Sequence, residues 1–369
     1  MNDALAQGQK VFVGLSGGVD SSVSAALLKA SGYNVIGVFI KVWQPDFLTC
    51  TWREDRLDAM RVCASLEIPF KTYDFESEYK RDVVDYMISE YRKGRTPNPD
   101  VMCNTHIKFD AFLNRALAES AAYIATGHYA QVLSAGDTYE LREAVDGNKD
   151  QSYFLWGLSQ QVLKRTLFPV GALTKQEVRA YARKFNLTTA EKRESQGLCF
   201  LGKLDMQDFL GHFMKGRHGA VLDEQGNTVG SHSGALFYTL GQRHGFTVRS
   251  TFGKAYVVAK DLENNTIVVS NDEALAHRAR DRRGVSLSQV NWVAGIIPKS
   301  GQQMWCRSRY RQQLTPCVLA EGKGNTACVT FPQTKPIVPP GQSLVLYGEM
   351  SRNTQRQLLG GGIIEPLVY

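Results

Sequence analysis

The sequence predicts an α/β fold, and three observations support this prediction. Apolar strand-like runs alternate with helical segments through the first half, a glycine-rich stretch joins the first strand to the first helix, and short apolar runs separated by turn residues fill the second half. Strands that alternate with helices form a parallel sheet with right-handed crossovers. We therefore expect a Rossmann-like domain, followed by a small, mostly β central domain and a C-terminal β-barrel.

The elements of the first half follow from hydrophobic periodicity and from helix stop signals. In chain order, the pattern predicts strands at 11–15, 34–43, 69–75 and 123–126, with helices at 21–30, 53–67, 76–93 and 106–120. Leu57, Met60 and Ala64, for example, share one face of the second helix. We interpret the stretch GRTPNPDVMCN, residues 94–104, as a loop stiffened by its prolines.

The pattern changes after about residue 210. AVLDEQGNTVG and YVVAKDLENNTIVVS are hairpin candidates, and from about residue 285 the apolar runs are NWVAGI, MWCRSRYR, CVLAEG, ACVTF and SLVLYG. Short strands at regular spacing are typical of a small barrel or sandwich. The predicted domains are a catalytic domain at 1–209, a central domain at 210–284 and a C-terminal barrel at 285–369.

Composition narrows the class of protein. The net charge of +7 and the pI of about 8.9 permit an anionic partner such as nucleic acid without requiring one. The seven cysteines are widely spaced with no CxxC pair, which argues against a disulfide framework or a cysteine-rich zinc site. The first ten residues lack the apolar segment of a signal peptide, and no run approaches bilayer length, so we expect a cytoplasmic protein.

The stretch GLSGGVDSS, residues 14–22, lies between the first strand and the first helix. Its glycines would let backbone N–H groups approach an anion, Ser16, Ser21 and Ser22 offer hydroxyls, and the following helix adds its N-terminal dipole. The usual phosphate loop ends in a lysine, which is missing here. Asp20 would repel phosphate unless it holds Mg²⁺ between itself and the phosphates. The alternative is a glycine turn with an Asp/Ser helix cap.

Two cysteines and a histidine mark further candidates. Asp100 and Cys103 are one turn apart, although a lone cysteine is usually a bystander, and a neighbouring carboxylate raises a thiol pKa rather than lowering it. Cys199, in ESQGLCF, follows the basic pair at 192–193, which favours a thiolate, but taken alone a core cysteine is the better explanation. Gly127 follows a strand at the edge where open α/β sheets bind ligands, and His128 is either a cap or a nucleotide contact.

The string SGGVDSS resembles the PP-loop of the ATP pyrophosphatases that cleave ATP between its α- and β-phosphates and adenylate a substrate oxygen. SGGVDSS, GRTPNPDVMCN, ATGHYA, NKDQSYFL, LCF, TLGQR and RYRQ occur in this order along the chain. Together they resemble the bacterial tRNA-specific 2-thiouridylases over essentially the whole sequence.

The resemblance implies an ATP-dependent exchange of the C2 oxygen of a tRNA wobble uridine for sulfur. ATP with Mg²⁺ would adenylate that oxygen. Cys199 would carry a persulfide delivered by an upstream sulfur donor, and Cys103 would attack it, release sulfide and leave a disulfide with Cys199. Sulfur could instead attack directly from the persulfide. Asp100 would act as an acid or base or touch the substrate.

The resemblance also implies binding residues. For ATP they are Gly14, Leu15, Ser16, Gly17, Gly18, Val19, Asp20, Ser21, Ile40 and Gly127. The family usually has methionine at the position of Ile40, which is harmless if the contact to adenine is through the backbone. The target base would touch Asn98, Pro99 and Asp100. The tRNA contacts would be His128, Lys149, Asp150, Gln151, Arg309, Tyr310 and Gln342.

The basic segment RSRYR supports a tRNA contact independently. On a strand, Arg307, Arg309 and Arg311 would share one face, with Tyr310 on the other. Such a row of guanidinium groups suits phosphates, although a solvated strand face is comparably plausible.

Three alternatives stay open. A related enzyme could amidate its substrate or add lysine to it, although neither reaction needs a cysteine pair. An RNA-binding protein with a degenerate nucleotide site is a second alternative, against which the intact SGGVDSS counts. Within the thiolation reaction, an iron–sulfur cluster could replace the persulfide, with Cys103, Cys199 and Asp100 as candidate ligands.

Overall fold

The computed structural model describes residues 8–48, 52–193, 205–272, 284–332, 338–350 and 355–366 of the 369-residue chain. Cys199 and its motif lie outside these ranges. In the described part, no helix has both the length and the apolar character needed to cross a membrane. The α/β architecture predicted from the sequence is confirmed, with one parallel and two predominantly antiparallel sheets.

The described strands follow one another in chain order as β1 (Lys10–Gly14), β2 (Asn34–Lys41), β3 (Phe70–Asp74), β4 (Tyr123–Ala125), β5 (Gln131–Ala135), β6 (Thr138–Arg142), β7 (Thr166–Leu167), β8 (Gly219–Leu222), β9 (Thr228–His232), β10 (Phe246–Val248), β11 (Tyr256–Asp261), β12 (Thr266–Ser270), β13 (Gly284–Trp292), β14 (Gln303–Arg307), β15 (Thr315–Lys323), β16 (Thr326–Thr330), β17 (Ser343–Met350) and β18 (Arg356–Ile364). The first sheet has the order β3-β2-β1-β4-β7 and is parallel throughout. Its central strands are continuous apolar runs because both faces are covered by helices.

The described helices are α1 (Val19–Ala30), α2 (Trp52–Ser65), α3 (Glu76–Tyr79, a π-helical stretch Lys80–Asp85 and Tyr86–Arg92), α4 (Pro99–Met102, a π-helical stretch Cys103–Ala111 and Phe112–Ala118), α5 (Gln160–Leu163), α6 (Lys175–Lys184) and α7 (Met206–Gly211). Short 3₁₀ turns occur at Ser152–Phe154, Ala235–Phe237 and Ser250–Phe252.

The start of α4 corrects the sequence prediction. Residues 99–104, which were expected to belong to a loop, are helical, because Asn98 caps the helix and Pro99 occupies its first turn. The Asn98 side chain accepts a hydrogen bond from the Val101 amide over 3.3 Å. Asp100 and Cys103 therefore stand on the first turns of a helix.

The remaining strands belong to two further sheets. The central sheet has the order β10-β9-β8-β12-β11. In the last sheet, the strands β13-β16-β15-β14-β17-β18 close into a barrel through the pairing of β13 with β18. The hairpin β5–β6, from the first half of the chain, extends this barrel by pairing with β18. The boundaries predicted for the three domains remain a prediction. The hairpin lies within the predicted catalytic domain, at 1–209, but its strands belong to the barrel sheet.

Candidate active site

The glycine-rich loop connects β1 to α1, and one of its two adjacent glycines is sterically constrained. Gly17 has a φ of +72°, and a Cβ there would lie 2.5 Å from the backbone oxygen of Asp55, so only glycine fits. Gly18 is the N-cap of α1. The Ser16 amide donates to Ser21 Oγ over 3.2 Å, which folds the loop back on the helix.

The serine hydroxyls of the loop differ in what they can reach. Ser16 is exposed, whereas Ser21 and Ser22 are buried and donate from Oγ to the Gly18 carbonyl over 3.2 and 2.8 Å. The expectation that all three hydroxyls face an anion is wrong for Ser22, which is 1% exposed and bonds back to the preceding turn. Leu15, just before Ser16, and Val19, between Ser16 and Ser21, are buried in the core.

Gly127 forms the opposite wall at the end of β4. A Cβ on this residue would lie 2.5 Å from the Ser21 amide nitrogen and 2.8 Å from the Asp20 carbonyl carbon. The chain runs from β1 outward to β2 and β3 and returns to β4 on the other side of β1. The two loops thus border the point where the strand order reverses, which is where open α/β sheets bind ligands.

Asp20 is held by two side chains that lie far from it in the sequence. Its Oδ1 accepts hydrogen bonds from the Tyr129 hydroxyl over 2.7 Å and from Lys175 Nζ over 2.6 Å. Lys175 is the first residue of α6, and its side chain is 14% exposed. A cation therefore stands beside the lysine-free loop, although the loop itself does not supply it.

Ile40 lies next to a small cavity near the end of β2. The cavity is lined by Ser16, Phe39, Ile40, Val42, Gln44, Trp52 and Asp55. The lining combines apolar side chains with the exposed loop serine, so the cavity places an apolar surface beside the phosphate loop.

The helix α4 connects Cys103 with both loops. Cys103 is fully buried and begins the π-helical stretch, while Asp100 and Pro99 are half-buried at the helix start. Near the other end of α4, the Phe112 ring lies 3.6 Å from the position of a Cβ on Gly14. The cysteine thus stands on a helix that packs directly against the strand leading into the loop.

His128 ties α4 to the loop after β4. Its Nδ1 lies 2.7 Å from Thr126 Oγ1, and its Nε2 lies 3.5 Å from Lys108 Nζ of α4. The ring packs against Phe109 and Phe168. Burial, and then the positive charge of Lys108, hold the pKa of His128 well below its usual value, so the imidazole is neutral at pH 7.

The segment that precedes the Cys199 motif is anchored beside the glycine-rich loop. Lys192 Nζ donates to Asp55 over 2.9 Å and to Asp58 over 2.6 Å. Arg179 of α6 donates to the carbonyls of Ala190 and Lys192, the second over 2.9 Å. The described chain is therefore fixed on the loop side of the sheet as far as Lys192.

The stretch 149–151 contacts the barrel rather than lying open. Asp150 is 3% exposed; its Oδ2 accepts from Arg307 Nη2 over 2.6 Å and from the Ser152 hydroxyl over 2.9 Å. Gln151 accepts from the Tyr129 amide over 3.0 Å, and Lys149 is half-buried. Asp150 thus ties this stretch to the barrel through Arg307. Gln151 ties it to Tyr129, which also contacts Asp20.

The arginine row expected for RSRYR does not form. β14 ends at Arg307, which is buried, and Arg311 has a φ of +61°, because Gln312 Oε1 accepts from the amides of Ser308 and Arg309 and curls the chain. Arg309 donates to the Leu240 carbonyl over 2.6 Å. Tyr310 is half-buried, with its ring centroid 4.8 Å from that of Phe154.

Gln342, just before β17, contacts the segment that leads into α4. Its Nε2 donates to the carbonyls of Thr96 and Pro97, each over 3.0 Å, and so holds this segment in place. Thr96 also bonds Thr239 of the central part over 2.9 Å. The segment that carries the predicted base-contacting residues is thereby fixed by both other parts of the molecule.

Three family models match the chain in succession. They are a tRNA methyl transferase HUP domain at residues 9–203, a tRNA methyl transferase PRC-barrel domain at 207–271 and an aminomethyltransferase beta-barrel domain at 282–364. Among solved structures, a U34-tRNA thiolase, NcsA, of Methanococcus maripaludis is 20% identical with a TM-score of 0.37, and covers 58% of this chain and 66% of its own.

Relatives of similar length are found among curated proteins. The tRNA-specific 2-thiouridylase of Ralstonia nicotianae is 44% identical over 97% of this chain and 96% of its own. That of Pseudoalteromonas translucida is 43% identical over 97% of this chain and 98% of its own. With this identity over almost the full length of both partners, the chain belongs to the tRNA-specific 2-thiouridylase family.

Proposed function

We propose that this protein is a tRNA-uridine 2-sulfurtransferase that replaces the C2 oxygen of a wobble uridine with sulfur in a reaction that cleaves ATP to AMP and pyrophosphate. The observation that carries the proposal is a contact between the helix that bears Cys103 and the strand that leads into the candidate phosphate loop. The lysine-free phosphate loop follows the strand β1, and Cys103 stands on the helix whose Phe112 packs against Gly14 at the end of that strand. Family membership supports the same reaction.

In the first step, the uracil O2 attacks the α-phosphorus of ATP. The bond from this phosphorus to the oxygen that bridges it to the β-phosphorus breaks, and pyrophosphate leaves with the electron pair. The proton on uracil N3 is lost as O2 is adenylated, and Asp100 is our candidate for its acceptor. Gly14–Ser21 and Gly127 would cradle the phosphates, and the cavity beside Ile40 would take the adenine.

The residues at the loop fit a magnesium ion carried by the nucleotide. Mg²⁺ binds hard oxygen ligands, commonly one or two carboxylates together with substrate phosphates. Asp20 offers one such carboxylate, 31% exposed, at the start of α1. Bound there, the ion would neutralise phosphate charge, and Asp20 would hold it through its other carboxylate oxygen, because Oδ1 already accepts from Tyr129 and Lys175.

In the second step, sulfur replaces the adenylated oxygen. The Cys103 thiolate attacks the inner sulfur of a Cys199 persulfide, which yields a Cys103–Cys199 disulfide and hydrosulfide. Hydrosulfide attacks C2, and AMP leaves with the former O2. In the direct variant, the outer persulfide sulfur attacks C2 first, and Cys103 then resolves the adduct. Both routes require a persulfide donor and a reductant that restores the two thiols.

The tRNA would bind across all three parts of the molecule. We assign the target base to Asn98, Pro99 and Asp100, with Lys149, Arg309 and Tyr310 towards the phosphate backbone and stacked bases. His128, Asp150, Gln151 and Gln342 are buried or engaged in bonds that hold these loops, so their part in binding would be mainly to fix the contacting segments. The cytoplasm is the expected compartment.

Cysteine substitutions test the proposal. Cys199→Ser and Cys103→Ser should each abolish 2-thiouridine formation, measured by mass spectrometry of tRNA nucleosides after incubation with ATP, Mg²⁺ and a persulfide source. Cys328→Ser, in the barrel strand β16, is the matched control and should keep wild-type activity. Thiolation by the Cys199 variant would refute the persulfide role. Iron bound after anaerobic purification, with activity that depends on it, would favour the cluster route instead.

A further inference from the structure

The cation beside the phosphate loop has no assigned role in the reaction. Lys175 Nζ lies 2.6 Å from Asp20 Oδ1, and Asp20 is the second residue of α1 at the phosphate end of that helix. The usual phosphate loop places a lysine on the terminal phosphates. Here the ammonium group comes from a different helix, 155 residues further along the chain.

The start of α6 is built to hold this side chain in place. Thr174 and Glu177 form a capping box, with Thr174 accepting from the Glu177 amide and Glu177 accepting from the Thr174 amide over 2.7 Å. The amide of Lys175 itself donates to Asp146 Oδ2 over 3.0 Å. The backbone of Lys175 is therefore fixed at two points, which leaves only its four-carbon stem to adjust.

The second bond to Asp20 fixes the other end of the ion pair. The Tyr129 hydroxyl donates to the same Oδ1 over 2.7 Å, and the Lys175 ammonium also lies 5.8 Å from the centroid of the Tyr129 ring. Tyr129 belongs to the loop that follows Gly127, the opposite wall of the phosphate loop. The ammonium group thus stands between the two walls, beside the anion-binding end of α1.

We propose that Lys175, from a different helix of the same chain, supplies the positive charge that the phosphate loop lacks, and that it binds the β- and γ-phosphates of ATP and the pyrophosphate that leaves. Asp20 holds the ammonium beside the site before ATP binds and shares it with the phosphates afterwards. An ammonium group in this position stabilises the charge that develops on the leaving pyrophosphate as the bond to the α-phosphorus breaks. The inference rests on the adenylation step of the proposed function.

The competing explanation is a salt bridge that only fastens α6 to α1. The two explanations differ in what they predict for ligands without the β- and γ-phosphates. A phosphate-binding lysine affects ATP and pyrophosphate but not adenosine. A structural salt bridge affects all ligands of the loop together, along with thermal stability.

Variants of α6 separate these explanations. Lys175→Met should weaken binding of an α,β-methylene ATP analogue and of Mg²⁺–pyrophosphate at least about tenfold by calorimetry, and should leave adenosine binding unchanged. The kcat/KM for tRNA-dependent AMP formation should fall about a hundredfold, as it does when one transition-state donor is removed. Lys175→Arg should restore most of the ligand affinity and most of kcat/KM. If the methionine variant does not fold, Lys175→Gln replaces it in the same measurements.

Thr174→Ala is the matched control, because it breaks the capping box and keeps the ammonium. It should lower thermal stability while the ratio of analogue to adenosine affinity stays as in the wild type. The proposal is overturned if Lys175→Met binds the analogue normally, or if it loses adenosine and the analogue in equal proportion. If the wild-type protein itself forms no AMP and pyrophosphate with tRNA, the proposed function fails rather than the role of Lys175.

Discussion

At the scale of single residues, the site depends on close approaches between distant segments. The contiguous loop GLSGGVDSS could be identified from the sequence, since strand, glycines and helix start are neighbours in the chain. Lys175 and Tyr129 could not, because only the folded sheet brings them to Asp20. The Thr174–Glu177 spacing predicts a helix start at Lys175, but it does not indicate that the Lys175 side chain contacts Asp20.

A substitution at Gly127 tests how closely the loop after β4 packs against the start of α1. In Gly127→Ala, the new Cβ would meet backbone atoms of Asp20 and Ser21 at distances under 3.0 Å, so the start of α1 must shift. We expect a loss of about 1–3 kcal/mol in unfolding free energy and weaker ATP binding in calorimetry. Gly211→Ala is the control, because no atom lies within 4 Å of its added Cβ. Unchanged ATP affinity in the Gly127 variant would contradict the placement of this wall.

The neutral His128 predicts a pH dependence of stability. Since burial depresses its pKa below the usual 6.5, the unfolded chain binds a proton more readily than the folded chain. The stability contribution is therefore full above pH 6.5 and is lost as the pH falls below that value. Thermal melts from pH 7.5 to about 5 should show a shallower decline for His128→Gln than for the wild type. An equal slope for His128→Gln and the wild type would contradict a buried, neutral His128 in the folded chain.

At the scale of elements, α4 shows what local pattern reasoning can miss. The prolines of GRTPNPDVMCN indicated a loop, but Asn98 as the cap and Pro99 in the first turn start a helix there. The parallel sheet was predictable because each strand and helix has its own apolar period. The π-helical stretch from Cys103 to Ala111 has no comparable sequence signal; it packs against α3.

Two substitutions at Asn98 separate its capping role from base recognition. Asn98→Ala should lower the unfolding free energy by about 1 kcal/mol, because the Val101 amide loses its side-chain acceptor. Asn98→Asp keeps the cap and should preserve stability. If Asn98 also donates to the target base, kcat/KM for thiolation should fall in the aspartate variant, which has no amide donor. Wild-type kinetics with Asn98→Asp would limit Asn98 to capping.

At the scale of the whole molecule, the barrel is joined to the catalytic part by more than a linker. The hairpin β5–β6 continues the barrel sheet, and Arg307 of β14 reaches Asp150 and Glu143 from the first half of the chain. Burial opposes the charge of Arg307, but Tyr347 and the two carboxylates outweigh it and raise its pKa. Sequence reasoning divided the chain at composition changes and could not detect these long-range pairings.

Arg307 should therefore couple the two parts energetically. Arg307→Met leaves the buried Asp150 and the half-buried Glu143 without their cation and should cost about 3–5 kcal/mol in denaturant unfolding. Adding Asp150→Asn should recover part of this loss. Lys80→Ala removes an exposed ion pair with Asp85 and should cost at most about 1 kcal/mol. A similarly small loss for Arg307→Met would show that the two parts are not coupled through this cluster.

The most direct test of the central claim follows the oxygen that leaves the base. A tRNA carrying ¹⁸O at C2 of its wobble uridine is incubated with the protein, ATP, Mg²⁺ and a persulfide source, and the released AMP is analysed by mass spectrometry. Adenylation of O2 predicts one ¹⁸O in each AMP formed together with 2-thiouridine. Unlabelled AMP alongside 2-thiouridine would contradict the account, because ATP would then activate some group other than the uracil oxygen.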